Sequence, residues 1–180
     1  MAQQTEASVI VPVDIDTAFA LAHTLGDDRT AWDTQVERRM LIRDHRRVQR
    51  GAQVFERVDN RRRVIVEYDS WFPPQQSSTR LLKGPFWLAE YGEGWHFSPA
   101  EAGTRVTLKL TWRHSAPLFA EAAARTLKQA FTAEVQQRLA DLLAACEDAS
   151  FVERVRARDT AGELPPNARH RDQTHRSGTP

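Results

Sequence analysis

SAPLFAEAAARTLKQAFTAEVQQRLADLLAACE, residues 115–147, decides the fold. Phe119, Ala123, Leu127, Ala130, Phe131, Val135, Leu139, Leu142 and Cys146 recur at helical spacing. Glu121, Arg125, Lys128, Gln129, Glu134, Gln137 and Asp141 are expected on the opposite side. One apolar stripe on an otherwise polar surface marks a helix with a single buried face. Ser115 is a good N-cap, and Pro117 is tolerated in the first turn, where its missing N–H has no helical partner anyway. The predicted helix runs from Ala116 to Glu147, about eight to nine turns. Such a stripe needs a partner surface of comparable length, and the residues before it supply a sheet.

Toward the N-terminus the period changes from 3.6 to 2. Arg105–Trp112 places Val106, Leu108, Leu110 and Trp112 on one face. Trp87–Phe97 places Tyr91, Glu93, Trp95 and Phe97 on one face and Gly92 and Gly94 on the other. Glycines inside a strand often mark a bulge or bend, which a sheet curling around a helix requires. Ser78–Lys83 is bounded by Pro73-Pro74 and Gly84-Pro85. Arg62–Trp71 aligns Val64, Val66 and Tyr68, and Asp59-Asn60 forms a turn to Gly51–Val58. Val36, Arg38, Met40 and Ile42 alternate with Glu37, Arg39 and Leu41. A first strand, Glu6–Val11, precedes a short helix capped by Asp14, and a second helical turn includes Thr30–Asp33, after a break at Gly26-Asp27-Asp28. The expected fold class is α+β: a curved antiparallel sheet of about seven strands around one long C-terminal helix, with two short helices after the first strand.

Composition bounds the function. The 180 residues suit one domain with a tail: residues 1–148 as the domain and 149–180 as a polar tail expected to be disordered, with Phe151–Arg158 open as an extension of the helix and Asp159–Pro180 too polar to order. A net charge of +1 gives no global steering toward DNA. The single Cys146 excludes an internal disulfide and fits a reducing compartment. MAQQTEASVIVPVDID lacks the basic-then-apolar pattern of a secretory signal. No apolar run approaches the roughly 18 residues of a membrane span. A cytoplasmic location is expected.

The order strand, helix, six strands, long helix resembles the helix-grip fold of the SRPBCC superfamily, which includes START lipid-transfer domains, polyketide cyclases and aromatases, and birch-allergen-like proteins. The stretches that carry the resemblance are VPVDIDTAFAL, Trp32-Asp33, DSWFPP, KGPFWLAEYGEGWHFSPAEAGTRVTLKLTWR and the closing helix, together about Thr5–Glu147. None is a catalytic motif. The resemblance implies a cavity between sheet and helix that takes a lipid, sterol, polyketide, hormone or quinone. Some members cyclise or dehydrate a bound polyketide, and some bacterial relatives act in quinone function or ribosome assembly.

No nucleophile elbow, zinc-protease helix, phosphate loop or dinucleotide glycine pattern is present, and the six histidines show no metal-ligand spacing. No cofactor or metal is expected. Alternation gives the candidate site instead: Tyr68, Tyr91 and Glu93 inward, with Trp71 and Trp87 near strand ends as mouth residues. The geometry of the similar family adds Phe119, Ala123 and Leu127 from the helix. Buried among apolar groups, Glu93 would have its pKa raised into a range useful for proton transfer. The bland alternatives are a register shift at Gly92 or Gly94 that leaves Glu93 at a wet rim, and core packing for both tyrosines.

A second signal is basic. From Glu37 to Arg63 there are ten Arg against four acids. Arg46, Arg47 and Arg50 are candidates for RNA, the ribosome or another anionic surface, phosphate-bearing lipid headgroups included. A solvated hairpin is the bland alternative. The expected function is binding, with possible transport, of a small hydrophobic or amphipathic ligand. A cyclase-like enzyme and an RNA-facing protein are the rivals.

Overall fold

The computed structural model describes residues 2–58, 62–115 and 120–160. β1 (Gln3–Val11) leads into α1 (Ile15–Ala22) and α2 (Asp27–Trp32). Six strands follow: β2 (Val36–Ile42), β3 (Gln53–Val58), β4 (Arg63–Phe72), β5 (Gln76–Lys83), β6 (Leu88–Ala100) and β7 (Gly103–His114). α3 (Ala120–Glu147) and α4 (Ala149–Thr160) complete the order. All seven strands pair antiparallel in the order β1-β7-β6-β5-β4-β3-β2. The sheet is curved, and α3 packs against β1 and β7.

Local chemistry sets the boundaries. Asp14 caps α1 by accepting from Thr17 N at 2.9 Å. Gly26, at φ 60°, turns the chain into α2. Asp27 and Asp28, expected in the break, occupy the first turn of α2, where negative charge suits the helix N-terminus.

Two expectations about register are corrected. Pairing of β6 with β7 runs unbroken from Glu90 to Ala100, and the one shift lies between Leu88 and Glu90. Gly92 serves close approach rather than a bulge: a Cβ there would collide with the Thr79 carbonyl oxygen of β5. The bulge that matters is in β2, between Val36 and Arg38. It switches the alternation, so Val36, Arg39 and Leu41 are buried and Arg38 is exposed.

The stripe of α3 buries Phe131, Val135, Leu139, Leu142 and Cys146 against Trp112, Leu110, Leu108 and the aromatics of β6. Ala130, expected in that stripe, is exposed, and Glu134, expected outside it, is buried. The first predicted residues of the helix, 116–119, and the Asp59-Asn60 turn lie outside the described residues.

The disordered tail expected from residue 149 is corrected over its first part. Ala149–Thr160 is helical, capped by Asp148, whose Oδ1 accepts from Ser150 N and Phe151 N. Phe151, Val152 and Val155 are buried, and the helix lies on α1 and α3. Residues 161–180 lie outside the described residues.

Candidate functional site

Arg138 stands one turn after Glu134 on the buried stripe of α3 and is fully enclosed. Its Nη1 donates to Glu93 Oε1 of β6 at 2.5 Å. Nε lies 3.0 Å from Asp33 Oδ2, and Nη2 lies 3.3 Å from Glu134 Oε1 and 3.8 Å from Glu56 Oε1. Arg39, turned inward by the β2 bulge, pairs with Glu56 of β3. It also stands 3.6 Å from Glu93 Oε2 and donates to the Tyr68 hydroxyl at 3.3 Å. Arg29 of α2 pairs with Asp33 at 2.7 Å and stacks over Trp32. Arg62, just before β4, pairs with Glu134 at 2.5 Å and lies over the rings of Tyr91 and Phe131.

Eight charged side chains thus form one buried cluster: Arg29, Arg39, Arg62 and Arg138 against Asp33, Glu56, Glu93 and Glu134, while a further buried acid, Asp28, lies apart and pairs with Arg154 and Arg158. The charges balance. They must, because an uncompensated ion in a low-dielectric interior costs several kcal/mol or shifts its pKa until it is neutral.

Glu93 is buried, not at a wet rim, but its expected protonation is corrected. Burial pushes its carboxyl upward, yet the guanidiniums of Arg138, Arg39 and Arg29 outweigh burial and hold it well below the usual carboxylate range. Asp33 is lowered in the same way, burial being overcome by Arg138 and Arg29. Tyr91 goes the other way: burial and the Glu93 charge push its hydroxyl well above the ordinary phenol. It donates to Glu93 Oε1 at 3.1 Å. Arg39 Nε and Trp112 Nε1 are buried N–H groups with no hydrogen-bond acceptor among the described residues.

An aromatic wall adjoins the charges. His23, at the end of α1, has Phe19 and Trp71 within 5 Å of its ring and Tyr68 and Trp95 slightly farther. Its Nδ1 meets Phe19 O at 2.7 Å and Nε2 meets Ser77 Oγ at 2.7 Å. A carbonyl only accepts, so Nδ1 carries the proton and Ser77 donates to Nε2. Burial lowers the imidazole pKa to about 3, leaving the ring neutral.

Of the residues predicted from sequence, the structure brings together Tyr68, Tyr91 and Glu93, all linked through Arg39 or Arg138. Trp71 joins them through its contact with Tyr68, ring centroids 5.2 Å apart. Trp87 is half-buried but precedes β6 at the opposite end of the sheet from Trp71, which lies beside Ser77. Leu127 is half-buried and packs on the core. Phe119 lies outside the described residues, and Ala123 is placed only as a residue of α3. Sequence reasoning missed Arg29, Asp33, Arg39, Glu56, Arg62, Glu134 and Arg138. One signal was available: Glu134 and Arg138, four apart, share the helical face of Phe131, Val135 and Leu142. Arg39 and Arg62 also leave the supposed basic surface, since both point inward.

The family model described as polyketide cyclase/dehydrase and lipid transport matches residues 2–147. The chain belongs to that family. No curated protein matches it in sequence. Among solved structures, TTHA0849 from Thermus thermophilus is 20% identical, with TM-score 0.65 over 86% of this chain and 98% of that one. The Zhui aromatase/cyclase from Streptomyces sp. R1128 is 18% identical, with TM-score 0.68 over 82% and 94%. A START superfamily protein from Mycobacterium smegmatis is 15% identical, with TM-score 0.53 over 74% and 97%. At such identities these likenesses establish the helix-grip fold. The family match ends at residue 147, so α4 follows the shared unit.

Proposed function

We propose that this family member binds a neutral, carbonyl-bearing hydrophobic molecule, of the polyketide or quinone type, between the sheet and α3. The observation that carries this is the balanced cluster around Arg138 and Arg39, set in an aromatic wall. With four positive and four negative side chains already matched, an anionic headgroup would add an uncompensated charge, whereas a carbonyl adds none. The interior has donors to offer it: the Arg39 Nε–H and Trp112 Nε1–H lack acceptors among the described residues. A buried donor without an acceptor gains most from a ligand oxygen.

The test is native mass spectrometry of the purified chain with denaturing extraction, followed by tryptophan-fluorescence titration. A naphthoquinone such as menadione is expected to quench and to saturate, and laurate is not. Tight laurate binding with no response to menadione would refute the neutral-ligand reading.

Cyclase-type turnover is a second reading, favoured by the Tyr91–Glu93 hydrogen bond. Tyr91 would polarise a ketone and Glu93 would accept a proton. The carboxylate held low by three guanidiniums makes a weak base, so turnover is the less favoured reading. Glu93→Gln abolishes turnover if this reading holds, and retained turnover removes Glu93 from the chemistry.

A further inference from the structure

We propose that the end of the sheet formed by the 43–50 loop and the β4–β5 turn docks on an anionic lipid bilayer. The loop carries Arg43, Arg46, Arg47 and Arg50 against Asp44, all exposed. Its return is fastened to β4: Gly51 N donates to Tyr68 O at 2.7 Å, and Tyr68 N donates to Ala52 O at 3.0 Å. Arg50 therefore stands beside β4 just ahead of its turn.

That turn, Ser70-Trp71-Phe72-Pro73-Pro74-Gln75-Gln76, contains no charge. Phe72 is 56% exposed, and Trp71 is half-buried. Of the nearby acids, Glu67 pairs with Arg80 at 2.7 Å, while exposed Asp69, which accepts from the Ser78 hydroxyl, keeps its charge; four arginines against Asp44 and Asp69 still leave this end positive. A cationic loop next to an uncharged aromatic tip matches both layers of a membrane surface. Guanidiniums remain with headgroup phosphates while the ring enters the headgroup–acyl boundary. The apolar residues are contiguous at one tip rather than interleaved with the arginines, which favours a bilayer over stacked nucleic-acid bases.

This docking does not depend on what the interior binds. If a hydrophobic ligand is carried, Trp71 joins the tip to the aromatic wall: its ring centroid is 4.9 Å from those of both Phe19 and His23.

The test is cosedimentation of the full chain with phosphatidylcholine vesicles, with and without phosphatidylglycerol. Binding is expected only with phosphatidylglycerol and weakens as salt rises. R47E/R50E lowers the partition coefficient by at least about twentyfold. F72S lowers it by about tenfold in low salt, where the arginines still act. Circular dichroism confirms that both variants are folded. Equal binding to both vesicle types, no binding, or indifference to the variants overturns the proposal. So does capture of polyuridine through the same arginines with vesicles ignored, which would assign the loop to RNA.

Discussion

Arg138 touches more carboxylates than any surface pair requires, and its removal should show it. Arg138→Met leaves Glu93 and Asp33 buried and under-compensated, a loss of about 3–5 kcal/mol in urea-unfolding stability. Adding Glu93→Gln removes one stranded charge, so the double variant should lose less than the sum of the two singles. Strict additivity would show that the 2.5 Å contact carries no coupling. His23 gives a pH signature. Its pKa of about 3 in the folded chain lies below the 6.5 of a free imidazole, so between those values the unfolded chain holds a proton that the folded chain does not. Stability should therefore fall as pH drops from about 6.5 toward 3. Glu93 and Asp33, held below the ordinary carboxylate range, contribute stability above that range and lose it only under stronger acid. Chemical denaturation between pH 7 and 5 thus isolates the histidine, and His23→Gln should flatten the slope. Alternation alone placed Tyr68, Tyr91 and Glu93 inward. It gave the wrong protonation for Glu93 because the decisive guanidiniums arrive from β2 and α3, which a pattern within β6 does not contain.

α4 is the element with the most direct prediction. Three of its arginines reach back to the start of the chain: Arg156 to Asp14 at 2.6 Å, and Arg154 and Arg158 to Asp28. Those exposed or half-exposed pairs add little each, so the apolar contact must hold the helix down. Phe151→Ala should cost about 3 kcal/mol and quicken amide exchange in α1 while leaving β6 and β7 protected. Unchanged exchange in α1 would mean that α4 rests on the fold without supporting it. The seven strands, both short helices and the stripe of α3 were legible because each has its own periodicity or cap. α4 was read as part of a polar tail because its three buried residues, Phe151, Val152 and Val155, are outnumbered by charges. Arg39 was indistinguishable from its basic neighbours because a bulge, invisible in composition, set which arginine turns inward.

Across the whole molecule, the buried ions tie α2, β2, β3, β6 and α3 into one body, with Arg62 entering from the start of β4. Arg138 of α3 reaches Asp33, Glu93 and Glu56 on three other parts of the chain, so α3 cannot leave without stranding them, and unfolding should be a single transition: tryptophan fluorescence, which follows the core, and far-ultraviolet circular dichroism, which follows α3, should give one midpoint. Separate midpoints would show that α3 leaves the sheet independently. The same arrangement acts as a proofreading device for strand alignment. A one-residue slip turns every inward side chain of a strand outward, and in β2 it would also send Arg39 to solvent and strand Glu56 inside. The ions make the misaligned sheet far worse than the correct one, and they tie mutational change at these positions together: one member of the set can be replaced cheaply only if another changes with it.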